Sequence, residues 1–268
     1  MDNIKISIIG GGNIATAIIN GILKSEIIKA ENINMYDMVE EKKAFFKNMG
    51  LNISESECDA AENCDYLFLT IKPQVYDEVL KKIKASLNKK TIIITVAPGI
   101  TINHVKSIAG NDIRIIRTMP NTPALVGEGV TAYVYSDGLN ENEKEFAKKL
   151  LNSFSEAYYM EEKLLDNVIS VSGSSPAYVY MFIDAIAKSG EMQGIDYDTA
   201  LKMAAKTVIG SAKLLLSGDD SAEVLIDKVC SKGGTTIEAV NCLKDNNFYD
   251  IIDNAMKKCT KRAIEMRK

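Results

Sequence analysis

IKISIIGGGNIATAIINGIL, residues 4–23, decides how the first half of this chain folds. The β-branched run 4–9 ends on glycine and reads as a buried strand. Residues 13–23 read as a helix. Between them GGGNIA satisfies G-x-G-x-x-A through Gly10, Gly12 and Ala15. The first glycine permits a tight turn, the second lets a pyrophosphate approach the backbone, and the small third residue lets helix and strand pack closely. Asn13 and Ile14 then open a helix whose positive end faces the anion. Alone, such a pattern is weak. A strand before it, a helix after it and Asp37 at the end of the next strand make it specific.

Outward from this unit, residues 33–36, 66–71, 91–97, 113–117 and 130–135 read as further strands, with helical spacing over 40–48 and 75–87. Strands separated by helices imply parallel βαβ units. An α/β, Rossmann-type doubly wound sheet over residues 1–160 is the economical reading. Asp37 can accept hydrogen bonds from an adenosine ribose and would repel a 2′-phosphate, which favours NADH over NADPH. Lys42 and Lys43 soften that repulsion, and a plain turn aspartate is the alternative. Two loops fall at strand C-termini, where open α/β sheets bind ligands. One carries Lys72 and Pro73. The other, MPNTP, carries Met119, Pro120 and Asn121, whose amide suits a nicotinamide; a rigid turn is the competing reading.

From Glu161 onward no strand is legible. Residues 176–194 and 199–218 carry long helical patterns, the second with Leu201, Ala204, Val208, Ala212 and Leu215 in one stripe and further apolar residues beside it. A helix apolar on more than one face lies deep in a core or at a subunit interface. An all-α domain over 161–268 is too small to hide many such helices, so an obligate homodimer is expected, against the alternative of one large intramolecular core.

Composition narrows the classes. The chain has 268 residues, a formal net charge of −4 and no basic block, which argues against nucleic acid as the main partner. No apolar run reaches the roughly 20 residues of a membrane span, and the N-terminus carries no cleavable signal pattern. The five cysteines are odd in number and lack C-x-x-C spacing, as for free thiols in a reducing cytoplasm. One histidine, His104, rules out a multi-histidine metal centre, and no metal is expected.

CSKGGTTIEA, 230–239, looks like a second anion cradle: Gly233 and Gly234 stand before Thr235, Thr236 and a helical run. A glycine turn with a threonine N-cap would explain the same letters. SGSSPAY, 172–178, likewise reads as a helix entry with proline in the first turn.

Taken together, IIGGGNIATAII (8–19), LTIKPQ (69–74), VAPGI (96–100), RTMPNTPALVGEGVTA (117–132), SVSGSSPAYVYMFIDAI (170–186) and CSKGGTTIEAV (230–240) resemble the pyrroline-5-carboxylate reductase family. The last two are the most specific, because they fall outside the generic Rossmann pattern. The resemblance implies an NAD(P)H-dependent reductase of a cyclic imine that forms proline. It further implies a helical substrate-binding and dimerisation domain, and in many members a pentamer of dimers. It places the substrate carboxylate on the backbone N–H groups of Gly233, Gly234 and Thr235, with Ser231 flanking. The hydroxyl of Thr236 falls within reach of the ring nitrogen. Two positions depart from the family: Ser175 stands where a glycine is usual, and Lys232 where a proline is.

The implied chemistry explains a poor acid–base inventory. An imine nitrogen is basic enough to react protonated, so a hydroxyl donor or relay suffices and no histidine is needed. His104 is expected on a surface helix; Glu161, Glu162 and Asp166, just before SGSSPAY, either assist at the site or, as charged runs usually do, form a solvated face. Three rival readings remain. One is a reductase of another cyclic imine. A β-hydroxy-acid reductase would need a lysine general acid–base on the interdomain helix, where only Lys188 occurs, near the far end. A non-catalytic dinucleotide sensor would need no second cradle.

Overall fold

The computed structural model describes residues 4–268. The chain divides into two compact units, one running to Ser174 and including Cys259–Lys268, the other Ser175–Lys258. The sequence boundary at residue 160 therefore differs from this division. Residues 161–174 belong with the sheet, as does the end of the last helix.

The first unit is built on one eight-stranded sheet: β1 (Ile6–Ile9), β2 (Ile33–Tyr36), β3 (Asn52–Ile53), β4 (Tyr66–Leu69), β5 (Ile92–Thr95), β6 (Arg114–Pro120), β7 (Gly129–Tyr135) and β8 (Ser155–Tyr159). Its order is β3-β2-β1-β4-β5-β6-β7-β8. β1 lies centrally, with Ile6 opposite Ile33 on one side and Tyr66 on the other, both parallel. The sheet is parallel as far as β6; β7 then runs antiparallel to β6 and β8 parallel to β7. β3 and β8 are absent from the sequence reading. β3 is two residues long, and β8, SEAYY, is a largely exposed edge with no apolar run.

Alternating side chains feed two cores, as a period of two requires. Ile6, Ile8, Met35, Phe68, Ile94 and Ile116 enter one. Ile9, Leu67, Leu69, Ile93 and Ile115 enter the other. Covering both faces is what makes these strands continuously hydrophobic. Helices α1 (Asn13–Lys24), α2 (Glu40–Asn48), α3 (Glu57–Ala61), α4 (Tyr76–Ile83), α5 (Ile102–Ala109) and α6 (Glu141–Asn152) supply the covering. α1 buries Ala15, Ile18, Ile19 and Ile22 in the first core, and α4 buries Tyr76, Leu80 and Ile83 in the second. A fully buried isoleucine is worth about 1.5–3 kcal/mol, so these faces fix the register of helix on sheet. α7 (Leu165–Val168) then passes directly into a π-helical turn at Ile169–Gly173.

The second unit is helical: α8 (Ser175–Met192), α9 (Tyr197–Ser217), α10 (Ala222–Val229), α11 (Thr235–Asp245) and α12 (Phe248–Glu265), whose final residues return to the first unit. α8 and α9 pack on each other. In the α9 stripe Ala204 is buried, while Leu215 and its neighbours Ile209, Leu214 and Leu216 are exposed. Tyr180, Met181 and Phe182 of α8 and Ile251 of α12 are exposed as well. So much exposed apolar surface belongs to an interaction face rather than to a monomer's exterior. Among the described residues, no helix is long and apolar enough to cross a membrane.

Candidate active site

Gly10 sits at φ +102°, and a Cβ there would stand 2.8 Å from the Thr70 carbonyl oxygen. Only glycine fits both that backbone and that clearance. The Gly10 N–H donates to the Tyr36 carbonyl at 2.8 Å, and the Thr70 hydroxyl donates to the Gly10 carbonyl. The loop is thus tied to both strands flanking β1. At Gly12 the opposite holds: a Cβ would meet nothing within 4 Å. Gly12 is the N-cap of α1, with no side-chain cap bond and no acidic residue in the first turn. The N–H groups of that turn have no acceptor within the helix. A dinucleotide pyrophosphate fits this opening. Asn13 is exposed, Ile14 half-buried and Ala15 buried against the sheet.

Asp37 is buried. Its Oδ2 accepts from the Gly11 N–H at 2.6 Å and its Oδ1 from the Val39 N–H at 2.9 Å. Lys42 Nζ lies 3.5 Å from Oδ2. The carboxylate therefore splints the glycine loop to the turn after β2. A carboxylate accepts about four hydrogen bonds, so capacity for a ribose hydroxyl remains.

Lys72 is exposed, and Pro73 opens a 3-10 turn after the β4 strand. In MPNTP the first two residues are not loop. Met119 and Pro120 complete β6, opposite Ala132 and Thr131, with Met119 buried in the core. The Asn121 amide is engaged at both ends: Nδ2 donates to the Ser172 carbonyl at 3.1 Å, and Oδ1 accepts from the Val130 N–H at 2.9 Å. Its side chain holds the π turn in place. The sequence offers no signal for that partner, because the contact is made by a backbone carbonyl 51 residues away.

The expected solvated acidic face is only partly one. Glu161 is exposed and pairs with Lys163. Asp166 is fully buried: its Oδ1 accepts from Arg117 Nη2 at 2.5 Å, and its Oδ2 from Arg267 Nε at 2.8 Å and Nη2 at 2.5 Å. Glu162 accepts from Arg117 Nη1 at 3.2 Å and from the Ile102 N–H at 2.8 Å. A signal for Asp166 exists in RIIRT, 114–118, where an arginine inside a buried strand demands a buried carboxylate. His104 is on α5, as expected, with Nε2 2.9 Å from Asp77 Oδ1. Asp77 is held below the usual carboxylate range by that bond and by Lys268. Lys188 pairs with Asp184 at 2.7 Å, which raises its pKa and makes it a poorer acid near neutrality.

In the second unit, Gly233 turns the chain at φ +71°. The Gly234 N–H donates to the Ser231 carbonyl at 3.0 Å, so it is used inside the turn and not presented to a ligand. A side chain at Gly234 would collide with the Ser231 hydroxyl. Gly234 itself is the N-cap of α11, with no side-chain cap bond, so neither threonine is a cap. Thr235 and Thr236 open the helix and carry its first N–H groups, which lack acceptors within the helix. Thr235 is exposed and Thr236 half-buried. Among the described residues, no group of three or more histidine, cysteine or acidic side chains is placed to hold a metal.

A sheet of this order, with an open glycine turn at its central strand and a separate helical unit, defines a Rossmann-type dinucleotide-dependent oxidoreductase. Residues 5–99 match the family described as NADP oxidoreductase coenzyme F420-dependent. Residues 162–266 match the family described as pyrroline-5-carboxylate reductase dimerisation. The chain is 37% identical to pyrroline-5-carboxylate reductase of Escherichia coli K12 over 98% of each chain. Among solved structures, Plasmodium falciparum pyrroline carboxylate reductase with NADP bound superposes with a TM-score of 0.91 at 30% identity, covering 100% of both chains. The Streptococcus pyogenes 1-pyrroline-5-carboxylate reductase gives 0.89 at 32%, covering 99% of this chain and 100% of that one. The chain belongs to the pyrroline-5-carboxylate reductase family.

Proposed function

We propose that this chain reduces 1-pyrroline-5-carboxylate to L-proline at the expense of NADH or NADPH. One observation carries the reading: α1 and α11, one in each unit, both open on a glycine N-cap with no side-chain cap bond. Each is a ready anion site, and the reaction has two anionic ligands, a dinucleotide pyrophosphate and a substrate carboxylate.

The open turn at Gly12, with the N–H groups of Asn13 and Ile14, holds the pyrophosphate. Gly10 and Ala15 shape that turn, and Asp37 receives the adenosine ribose, which favours NADH. Lys72 and Pro73, with the backbone at Met119–Asn121, border the cleft at the strand C-termini. When bound, the dinucleotide supplies hydride to the imine carbon. The N–H groups of Thr235 and Thr236 hold the carboxylate, in a turn shaped by Gly233, Gly234 and Ser231. The Thr236 hydroxyl relays a proton from solvent to the ring nitrogen, giving the protonated imine that accepts hydride. Because the imine reacts protonated, orientation and exclusion of water do most of the work.

Residues 1–160 serve as the dinucleotide-binding domain, with 161–174 and 259–268 belonging to the same compact unit, and the helices between them serve for substrate binding and dimerisation. The exposed apolar faces of α8, α9 and α12 are covered in a homodimer, which assembles further into a pentamer of dimers. The enzyme works in the cytoplasm. A β-hydroxy-acid reductase is the weaker reading, because Lys188 is exposed and ion-paired.

Thr236→Ala tests the assignment. Turnover falls about 100-fold, in the range of a lost proton donor, while NADH binding measured by fluorescence is unchanged. Unaltered turnover would remove Thr236 from the mechanism.

A further inference from the structure

Residues 266–268 run along the loop that leaves β5, the VAPGI segment. The Lys268 N–H donates to the Gly99 carbonyl at 2.8 Å, and the Thr101 hydroxyl donates to the Lys268 carbonyl at 2.8 Å. Gly99 lies at φ +76°, and a Cβ there would stand 2.5 Å from the Met266 carbonyl oxygen. The tail is seated directly on the glycine. Its side chains add two anchors: Lys268 Nζ is 3.0 Å from Asp77 Oδ1, and Arg267 reaches Asp166 with two nitrogens.

Asp166 makes that second anchor matter. Its other oxygen holds Arg117, whose Nε has no partner and which therefore depends on Asp166 and Glu162. Arg117 lies on β6 just before Met119 and Pro120. Glu162 joins the same guanidinium to the first turn of α5, immediately after the VAPGI loop. Farther along, Thr260 bonds Ser170 at 3.1 Å, in the π turn that Asn121 grips through Ser172. Two guanidinium groups and two carboxylates thus bind the end of the last helix to the loops after β5 and β6.

We propose that Arg267 is a positioning residue for the dinucleotide. Through Asp166 it clamps the tail onto Gly99–Thr101 and fixes the loop at the carboxyl end of β5, the edge at which open α/β sheets take up ligands, before the cofactor arrives. The proposal rests on the dinucleotide cleft read above. Its consequence is specific. When only a fraction of the protein is binding-competent, apparent affinity falls by that fraction. Loosening the clamp therefore weakens dinucleotide binding without slowing hydride transfer once the cofactor is seated.

The test is Arg267→Ala, Arg267→Lys and Gly99→Ala in the full chain, with NADH binding titrated by fluorescence. Amide exchange over residues 97–102 of the cofactor-free protein and steady-state kinetics complete it. Arg267 is partly exposed and Asp166 keeps Arg117, so the alanine variant folds. Gly99→Ala displaces the tail without removing any charged group. Both weaken NADH binding about 10-fold and speed exchange in the loop, with kcat within about 2-fold of the parent. Arg267→Lys recovers part of the affinity, because a lysine supplies the charge without the two-nitrogen fork. Unchanged NADH affinity in Arg267→Ala and Gly99→Ala overturns the proposal, whether or not exchange quickens. A parent protein that binds neither NADH nor NADPH would instead overturn the cleft on which it rests.

Discussion

Asp37 Oδ2 lies 2.6 Å from the backbone nitrogen of Gly11, so the acid at the end of β2 is bonded to the glycine turn after β1. That carboxylate splints the glycine turn, and under the proposed function it also sets the charge where the adenosine ribose would be read. Replacing it with serine keeps a small polar group and removes the charge. Asp37→Ser is expected to raise the KM for NADH, through loss of both splint and ribose acceptor. It also relieves repulsion of a 2′-phosphate. The ratio of kcat/KM for NADPH over NADH rises by about 10-fold, equivalent to about 1.4 kcal/mol of discrimination. Parallel kinetics with the two cofactors check this; an unchanged ratio would leave Asp37 with the splinting role alone.

Gly10 and Gly12 separate structure from function within three residues. Gly10→Ala places a Cβ 2.8 Å from the Thr70 carbonyl at a positive φ, and costs about 1–3 kcal/mol of stability. Gly12→Ala meets nothing in the protein. It leaves the melting temperature unchanged but obstructs the pyrophosphate, raising the dissociation constant for NADH at least about 10-fold. Calorimetry and cofactor titration on the two variants decide it.

Asp166→Ala removes the acceptor shared by Arg117 and Arg267. Arg117 is then left buried with Glu162 as its sole carboxylate. Breaking a buried pair in this way costs about 3–5 kcal/mol, seen as a lower denaturant midpoint. Asp37→Ser, on a different ion network, serves as the comparison.

Burial pushes the Cys64 thiol up to about 11. Native protein therefore protects Cys64 from iodoacetamide at pH 8, and unfolding exposes it; peptide mapping reads the difference. A folded pKa raised above the unfolded value, about 8.5 for cysteine, contributes stability that is complete below pH 8.5 and lost as pH climbs toward 11. Cys64→Ala is expected to lose stability less steeply over that window.

The sheet was legible where strands are buried on both faces, because IKISII and TIIIT are dominated by isoleucines that face both cores. It was illegible at β3 and β8, one too short and the other polar on an open edge. The reversal at β7 left no mark, since strand direction is not encoded in hydrophobic pattern. The glycine turn was readable because each glycine has a steric reason. Asn121 and Gly234 were harder. Asn121 gives its amide to a carbonyl 51 residues away that sequence spacing does not locate, whereas Gly234 closes a local turn on Ser231, and the letters alone do not separate that turn from an anion cradle. The acidic run around Asp166 reads as surface, yet Arg117 in the middle of β6 signals its burial.

The most direct measurement is proline formation from 1-pyrroline-5-carboxylate, followed together with oxidation of NADH and, separately, NADPH. One proline per dinucleotide oxidised is the expected result, with the faster rate on NADH. Folded protein that binds the dinucleotide but forms no proline with either would contradict the proposed reaction.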